Sequence, residues 1–160
     1  MNPAEEIVKF WLQNTGYFFQ SSIRVEKEQG REIDILAIDG EGRNKRHIEV
    51  SVSVKMADYT SNPKTKAEKY SNKFNHPTIK REVKNRFGNN SIYKKELVVG
   101  DVSMKKKDAL EKFINECKRH KIKVIKISEI LSKITPELKE HNHLNPIIRA
   151  VQISSKFMNL

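Results

Sequence analysis

Two strand-like runs, one from Arg31 to Asp39 and one from Arg46 to Val54, are separated by Asp39-Gly40-Glu41-Gly42, and each carries a carboxylate in an apolar setting. The Asp-Gly turn is a strong hairpin signal, so the runs read as neighbouring strands. Asp34 lies in the first and Glu49 in the second. In the second run Ile48, Val50, Val52 and Val54 alternate with Glu49, Ser51, Ser53 and Lys55, placing two sets of side chains on opposite faces. A buried carboxylate is costly unless a cation or hydrogen bonds compensate it. A hard divalent cation bound by both acids would do so, and it would equip the chain for phosphoryl chemistry. The competing reading is a pair of half-exposed strands with polar outer faces.

The flanking pattern places this hairpin in a larger order. Residues 3–15 read as a helix capped by Asn2, with Pro3 in the first position and Val8, Trp11 and Leu12 on the core stripe. Glu5 lies at the edge of that stripe and Glu6 further toward solvent. Gly16 ends the helix, and residues 17–25 and 32–38 follow as strands around a turn at 26–30. Beyond a break at 58–62, residues 63–74 and 78–87 read as helices, the second capped by Thr78. A strand at 91–99, a helix at 104–119, a strand at 122–127 and a helix from Ser128 to Ile134 complete the series. The fold class is therefore α/β: a mixed sheet flanked by helices, in the core order α-β-β-β-α-β-α-β. At 160 residues this is one domain, with residues 1–135 as its core and 136–160 as a C-terminal helical extension beginning at Asn145-Pro146.

The acidic strands resemble the PD-(D/E)XK nuclease superfamily, in which an Asp ends one strand and a Glu-x-Lys lies on the next. The opening Ala4-Glu5-Glu6-Ile7-Val8, with Leu12 and Gly16-Tyr17, is similar to the first helix of Mrr-like restriction endonucleases and archaeal Holliday-junction resolvases. There an early Glu joins the metal site. The resemblance covers about residues 4 to 55 by motif and extends to about residue 127 by element order. It implies a restriction-endonuclease-like core, with Mg2+ or Mn2+ held by Asp34, Glu49, Glu5 and the Val50 carbonyl. It further implies hydrolysis of phosphodiester bonds in DNA.

One departure bears on the chemistry: Ser51 stands where the family has its lysine. A serine hydroxyl can orient a water but brings no positive charge to the transition state. Lys55 shares the face but lies about 20 Å along the strand from Glu49. The following helix offers Lys66, Lys69 and Lys73 along one edge, and a lysine from there could fill the position. We assign the role to Lys69, with Ser51 beside it in the catalytic set. The alternative is a nuclease-fold protein that binds nucleic acid with impaired catalysis.

The charge distribution fits a polyanionic partner. The net charge is +11, yet residues 1–60 hold ten acids against eight Lys and Arg. Residues 63–86 hold eight basic residues against Glu68 and Glu82. Lys64, Lys66, Lys69, Lys73, Lys80, Arg81 and Lys84 are accordingly the candidate nucleic-acid contacts. A lysine-rich solvated surface is the plainer reading of the same residues.

Cys117 is the sole cysteine and sits on an apolar stripe, so no intrachain disulfide forms and a reducing cytoplasm is the expected setting. No apolar stretch has membrane-spanning length, and Met1-Asn-Pro-Ala-Glu-Glu does not read as a signal peptide. His47, His76, His120, His141 and His143 lack zinc-site spacing and read as surface or loop histidines. Trp11, Tyr17, Phe18 and Phe19 read as core. Ile147, Ile148 and Val151 would suit a dimer surface, and a homodimer would match a two-strand substrate.

Overall fold

In a computed structural model, the described residues are 2–25, 30–52, 61–101, 107–138 and 144–157. Ser53, Val54, Lys55, His141, His143, the turn at 26–29 and the expected helix start at 104–106 lie outside them.

Among the described residues, β1 (Tyr17–Arg24), β2 (Glu32–Asp39), β3 (Lys45–Ser51), β4 (Lys94–Val99) and β5 (Ile122–Lys126) form one sheet in that order. The first three strands are antiparallel, and β4 and β5 run parallel to β3. The β2–β3 turn depends on Gly42, at φ 72, and on the Asp39 carboxylate, which accepts the Arg43 and Asn44 amides at 2.8 and 3.1 Å. Parallel neighbours require crossovers. The helices α2 (Pro63–Asn75) and α3 (Pro77–Phe87) join β3 to β4, and α4 (Lys107–Arg119) joins β4 to β5. The fold is α/β, a mixed five-strand sheet flanked by helices, as the order of elements implied.

Each face of the sheet has its own core. On one, Ile35, Ala37, Ile48, Val98 and Ile125 pack with Val8, Trp11 and Leu12 of α1 (Pro3–Asn14) and with Ile130 and Ile134 of α5 (Ile127–Ile134). On the other, Leu97 and Val99 meet Ala67 and Phe74 of α2 and Phe113 and Cys117 of α4. Ile33 and Leu36 meet Ile79 and Val83 of α3. The central strand β3 is thus covered on both faces. This excludes the half-exposed reading: Glu49 is 1% exposed and His47 wholly buried.

On the α1 face two buried charges of the described residues, Arg46 and Glu96, are paired. Arg46 Nε donates to Glu96 Oε2 at 2.6 Å while the guanidinium stacks over Trp11 at 4.6 Å and Tyr17 at 5.0 Å.

Several local expectations change. The α3 cap is His76, whose Nδ1 accepts the Thr78 amide, because Pro77 starts the helix one residue before Thr78. Glu6 is not solvent-facing. It pairs with Lys9 and accepts from Asn145 Nδ2 at 2.8 Å, tying α1 to α6 (Pro146–Phe157). Ile148 is buried in the chain's own core, so Ile147, Ile148 and Val151 do not form one exposed patch. Phe18 is 71% exposed, since β1 is an edge strand whose alternate residues face outward. No helix among the described residues is long and apolar enough to cross a membrane.

Candidate active site

Asp34 occupies a point where the sheet opens on both sides. The β2–β3 register pairs Leu36 with His47 and Ile35 with Ile48; the next step brings Asp34 to Glu49, where the ladder has ended. On the other side β1 pairs Ser21 with Ile35 and Ile23 with Ile33, passing over Ser22 opposite Asp34. Ser22 has φ 53, a costly conformation for a residue with a side chain. Released from the ladder, the Val50 amide donates to Asp34 Oδ2 at 2.7 Å. Val50 therefore enters the site through its N–H, while its side chain packs against the α1-face core.

The positive charge comes from α2. The Lys73 ammonium is ion-paired with Glu49 Oε2 and lies 3.7 Å from Asp34 Oδ1. Lys69, the lysine assigned from the sequence, is exposed, and it is Lys73 that reaches the two carboxylates. Position along the helix, not phase, separates them: both lie on one edge of α2, whose buried residues are Ala67, Ser71 and Phe74, and Lys73, next to Phe74, is the one level with the carboxylates. Lys69 lies one turn back. It shares with Lys73, Arg31, Glu32 and His76 the rim of a hollow of about 490 Å3. Lys73 keeps 39% of its side chain exposed, so its ammonium spans from the buried carboxylates to solvent.

His47 is the residue that sequence reasoning missed. It precedes Glu49 by two residues on the same face of β3, and its Nε2 lies 2.7 Å from Glu49 Oε1. Its ring meets Phe74 edge-on at 4.7 Å. Burial, then the Lys73 charge, pushes its pKa down to about 3, so the imidazole is neutral; against an ionised Glu49, which can only accept, Nε2 is the nitrogen that must carry the proton. Strand alternation was the available signal, since it places His47 beside Glu49; burial of that face by α2 was not legible.

The charges are strongly coupled. Burial and then the Glu49 charge push Asp34 up to about 6, against the pull of Lys73 and the Val50 amide. Burial raises Glu49, and Lys73 opposes the rise. Burial opposes the Lys73 charge, but Glu49 and Asp34 outweigh it and hold the ammonium above the ordinary lysine range.

The remaining candidates are dispersed. Ser51 Oγ bonds Tyr70 OH of α2 at 2.5 Å, at the edge of the site. Glu5 accepts from Asn2 Nδ2 at 2.8 Å. Burial first, then the charges of Asp34 and Glu32, raise its pKa, placing it within electrostatic reach of the site and bonded elsewhere. Lys64 is exposed on the first turn of α2, and Lys66 is half-buried two residues further along that helix. Lys80, Arg81 and Lys84 of α3 line a separate hollow. Among the described residues, no group of three or more His, Cys, Asp and Glu side chains converges as a metal cage.

Two acids on adjacent strands, a bridging cation from a helix and a neutral imidazole behind one acid can hold a hard cation or a phosphoryl group at the sheet's opened edge. No protein-family model, no curated protein and no solved structure matches this chain.

Proposed function

We propose that this chain is a metal-dependent nuclease of the PD-(D/E)XK type, hydrolysing phosphodiester bonds in DNA, with Lys73 in place of the motif lysine. The carrying observation is the convergence of Asp34, Glu49 and Lys73 from β2, β3 and α2. The donor set suits magnesium, which is commonly held by one or two carboxylates and completes its shell with waters and substrate oxygens. Asp34 Oδ1 and Glu49 Oε2 both face the Lys73 ammonium, which marks where a cation is favoured. When bound, the metal would polarise the phosphoryl oxygen and acidify a water.

The chain's own residues supply the rest. Asp34 and Glu49 would hold the ion, with Glu49 oriented by His47 and Asp34 by the Val50 amide. Displaced from Glu49, the flexible Lys73 would turn toward solvent and the substrate, placing its charge against the oxygens that gain charge in the transition state. The Ser51–Tyr70 hydroxyl pair supplies polar groups to orient water at the edge.

One observation favours a second reading, a nuclease-like protein that binds nucleic acid without cutting. Lys73 already compensates Glu49, so the acids can persist without a metal. Cleavage of branched, single-stranded and duplex DNA in Mg2+, Mn2+ or EDTA separates the two. The expected result is metal-dependent cleavage that falls about 100-fold or more in Asp34→Ala. DNA binding by the wild type with no cleavage in either metal would select the second reading. Cleavage undiminished in Asp34→Ala would place the activity elsewhere.

A further inference from the structure

Away from the carboxylates, α3 and the leading ends of β4 and β5 line a hollow of about 590 Å3 with no acidic residue among the described residues of its lining. Its lysines are Lys80, Lys84, Lys94, Lys95, Lys121 and Lys123. They come from distant parts of the chain. The parallel β4–β5 register brings them together by pairing Lys95 with Ile122 and Glu96 with Lys123. Lys80 and Lys84 also wall the adjoining hollow that holds Arg81, so the basic surface is continuous. The crowding has an electrostatic signature: burial, then the charges of Lys80 and Lys121, lower the Lys95 pKa. Concentrating like charge in a concavity is unfavourable for the free protein and favourable once a polyanion enters.

Two further features narrow the polyanion. Ile92, 91% exposed, stands among these lysines with Tyr93 beside it. Apolar surface interleaved with cations suits a chain that alternates phosphates with bases. Lys95 also ties the groove to the elements that carry the candidate active site. Lys95 pairs in register with His47 on β3, and its ammonium donates at 2.6 Å to Asn75, two residues beyond Lys73 on α2.

We infer that this lysine groove seats a single-stranded stretch of nucleic acid, its phosphates against the lysines and its bases against Ile92, leading toward the Asp34–Glu49–Lys73 site. The inference rests on the nuclease reading for the groove's role in presenting substrate. The binding itself is measured without cleavage.

The test is fluorescence anisotropy with labelled single-stranded and duplex DNA in EDTA, with inorganic polyphosphate as competitor. The groove variant is Lys94→Gln/Lys121→Gln/Lys123→Gln. The charge-matched control is Lys107→Gln/Lys112→Gln/Lys118→Gln on α4. All six side chains are exposed, and thermal melts check that both variants stay folded. The groove variant is expected to bind single-stranded DNA about 10-fold or more weakly, with a salt slope shallower by about 2, as for three lost phosphate contacts. The control should lose far less. Ile92→Ser should weaken DNA binding and leave polyphosphate competition unchanged.

Equal losses in groove and control variants would overturn the groove. An Ile92→Ser variant that binds DNA like wild type, with polyphosphate competing equally well, would reduce the hollow to a general polyanion seat and overturn the assignment to nucleic acid. If the groove variant binds normally while Asp34→Ala abolishes cleavage, the groove falls and the nuclease reading stands. If the groove variant loses binding and the wild type never cleaves, the groove stands on a protein that only binds.

Discussion

Lys73 of α2 and Glu49 of β3 form an ion pair beside the point where β2 and β3 part, so a helix lysine meets the acid of the central strand. The pair is asymmetric: Glu49 keeps 2% of its side chain exposed and Lys73 39%. The acid depends on the base for compensation, whereas the base retains water.

Removing Lys73 therefore leaves a buried carboxylate unmatched. Breaking a fully buried pair costs about 3–5 kcal/mol, and solvent screening of the half-exposed lysine lowers the expected loss to about 1–2 kcal/mol. Urea denaturation of Lys73→Ala should show this loss at pH 7. Lys69→Ala should stay within about 0.5 kcal/mol of wild type. Equal losses would return the role to Lys69.

Asp34 acts in the opposite sense. Its pKa is raised in the fold to about 6 from 3.8, so the native state holds its proton more tightly than the unfolded chain. The stabilisation from that proton is full below about pH 4 and is lost as pH rises through 6. The penalty at neutral pH is up to about 3 kcal/mol. Asp34→Asn should therefore melt several degrees higher than metal-free wild type at pH 7.5, and the gap should close by pH 4. A variant less stable than wild type at pH 7.5 would contradict this.

His47 titrates in the other direction. Its pKa is lowered in the fold, so the unfolded chain takes the proton first and stability falls as pH drops below 6.5 toward 3. In wild type the Asp34 contribution opposes this between pH 6 and 4. Acid should thus destabilise Asp34→Asn more steeply than wild type in that window. Nuclear magnetic resonance of the His47 ring should show it neutral at pH 5, and a protonated ring there would contradict the buried arrangement.

Metal binding would reverse the repulsion between the two acids. Manganese at about 100 times its dissociation constant should stabilise the protein by about 2.7 kcal/mol, raising the melting temperature. Asp34→Ala and Glu49→Gln should abolish most of that rise. An equal rise in both variants would place the metal elsewhere.

Much of this arrangement was legible in the chain. The Asp39-Gly40 turn and the apolar runs around Asp34 and Glu49 were enough to make the strands neighbours. What was not legible is tertiary. The choice among Lys66, Lys69 and Lys73, which share one edge of α2, depends on how far along that helix the carboxylates lie, which local spacing leaves open. His47 already shared a face with Glu49, but its role required knowing that α2 covers that face. Lys94, Lys95, Lys121 and Lys123 became one surface only through the β4–β5 register. Asn145 finds Glu6 only when α6 returns to α1.

The most direct measurement is the rate of metal-dependent DNA cleavage in wild type, Lys73→Ala, and the double variant Lys73→Ala/Ser51→Lys. Ser51 lies two residues beyond Glu49 on β3, so a lysine there can return the charge from within the strand. The expected result is a fall of about 100-fold or more in Lys73→Ala and recovery of at least part of it in the double variant. Cleavage by Lys73→Ala at the wild-type rate would contradict the claim that Lys73 supplies the missing catalytic charge.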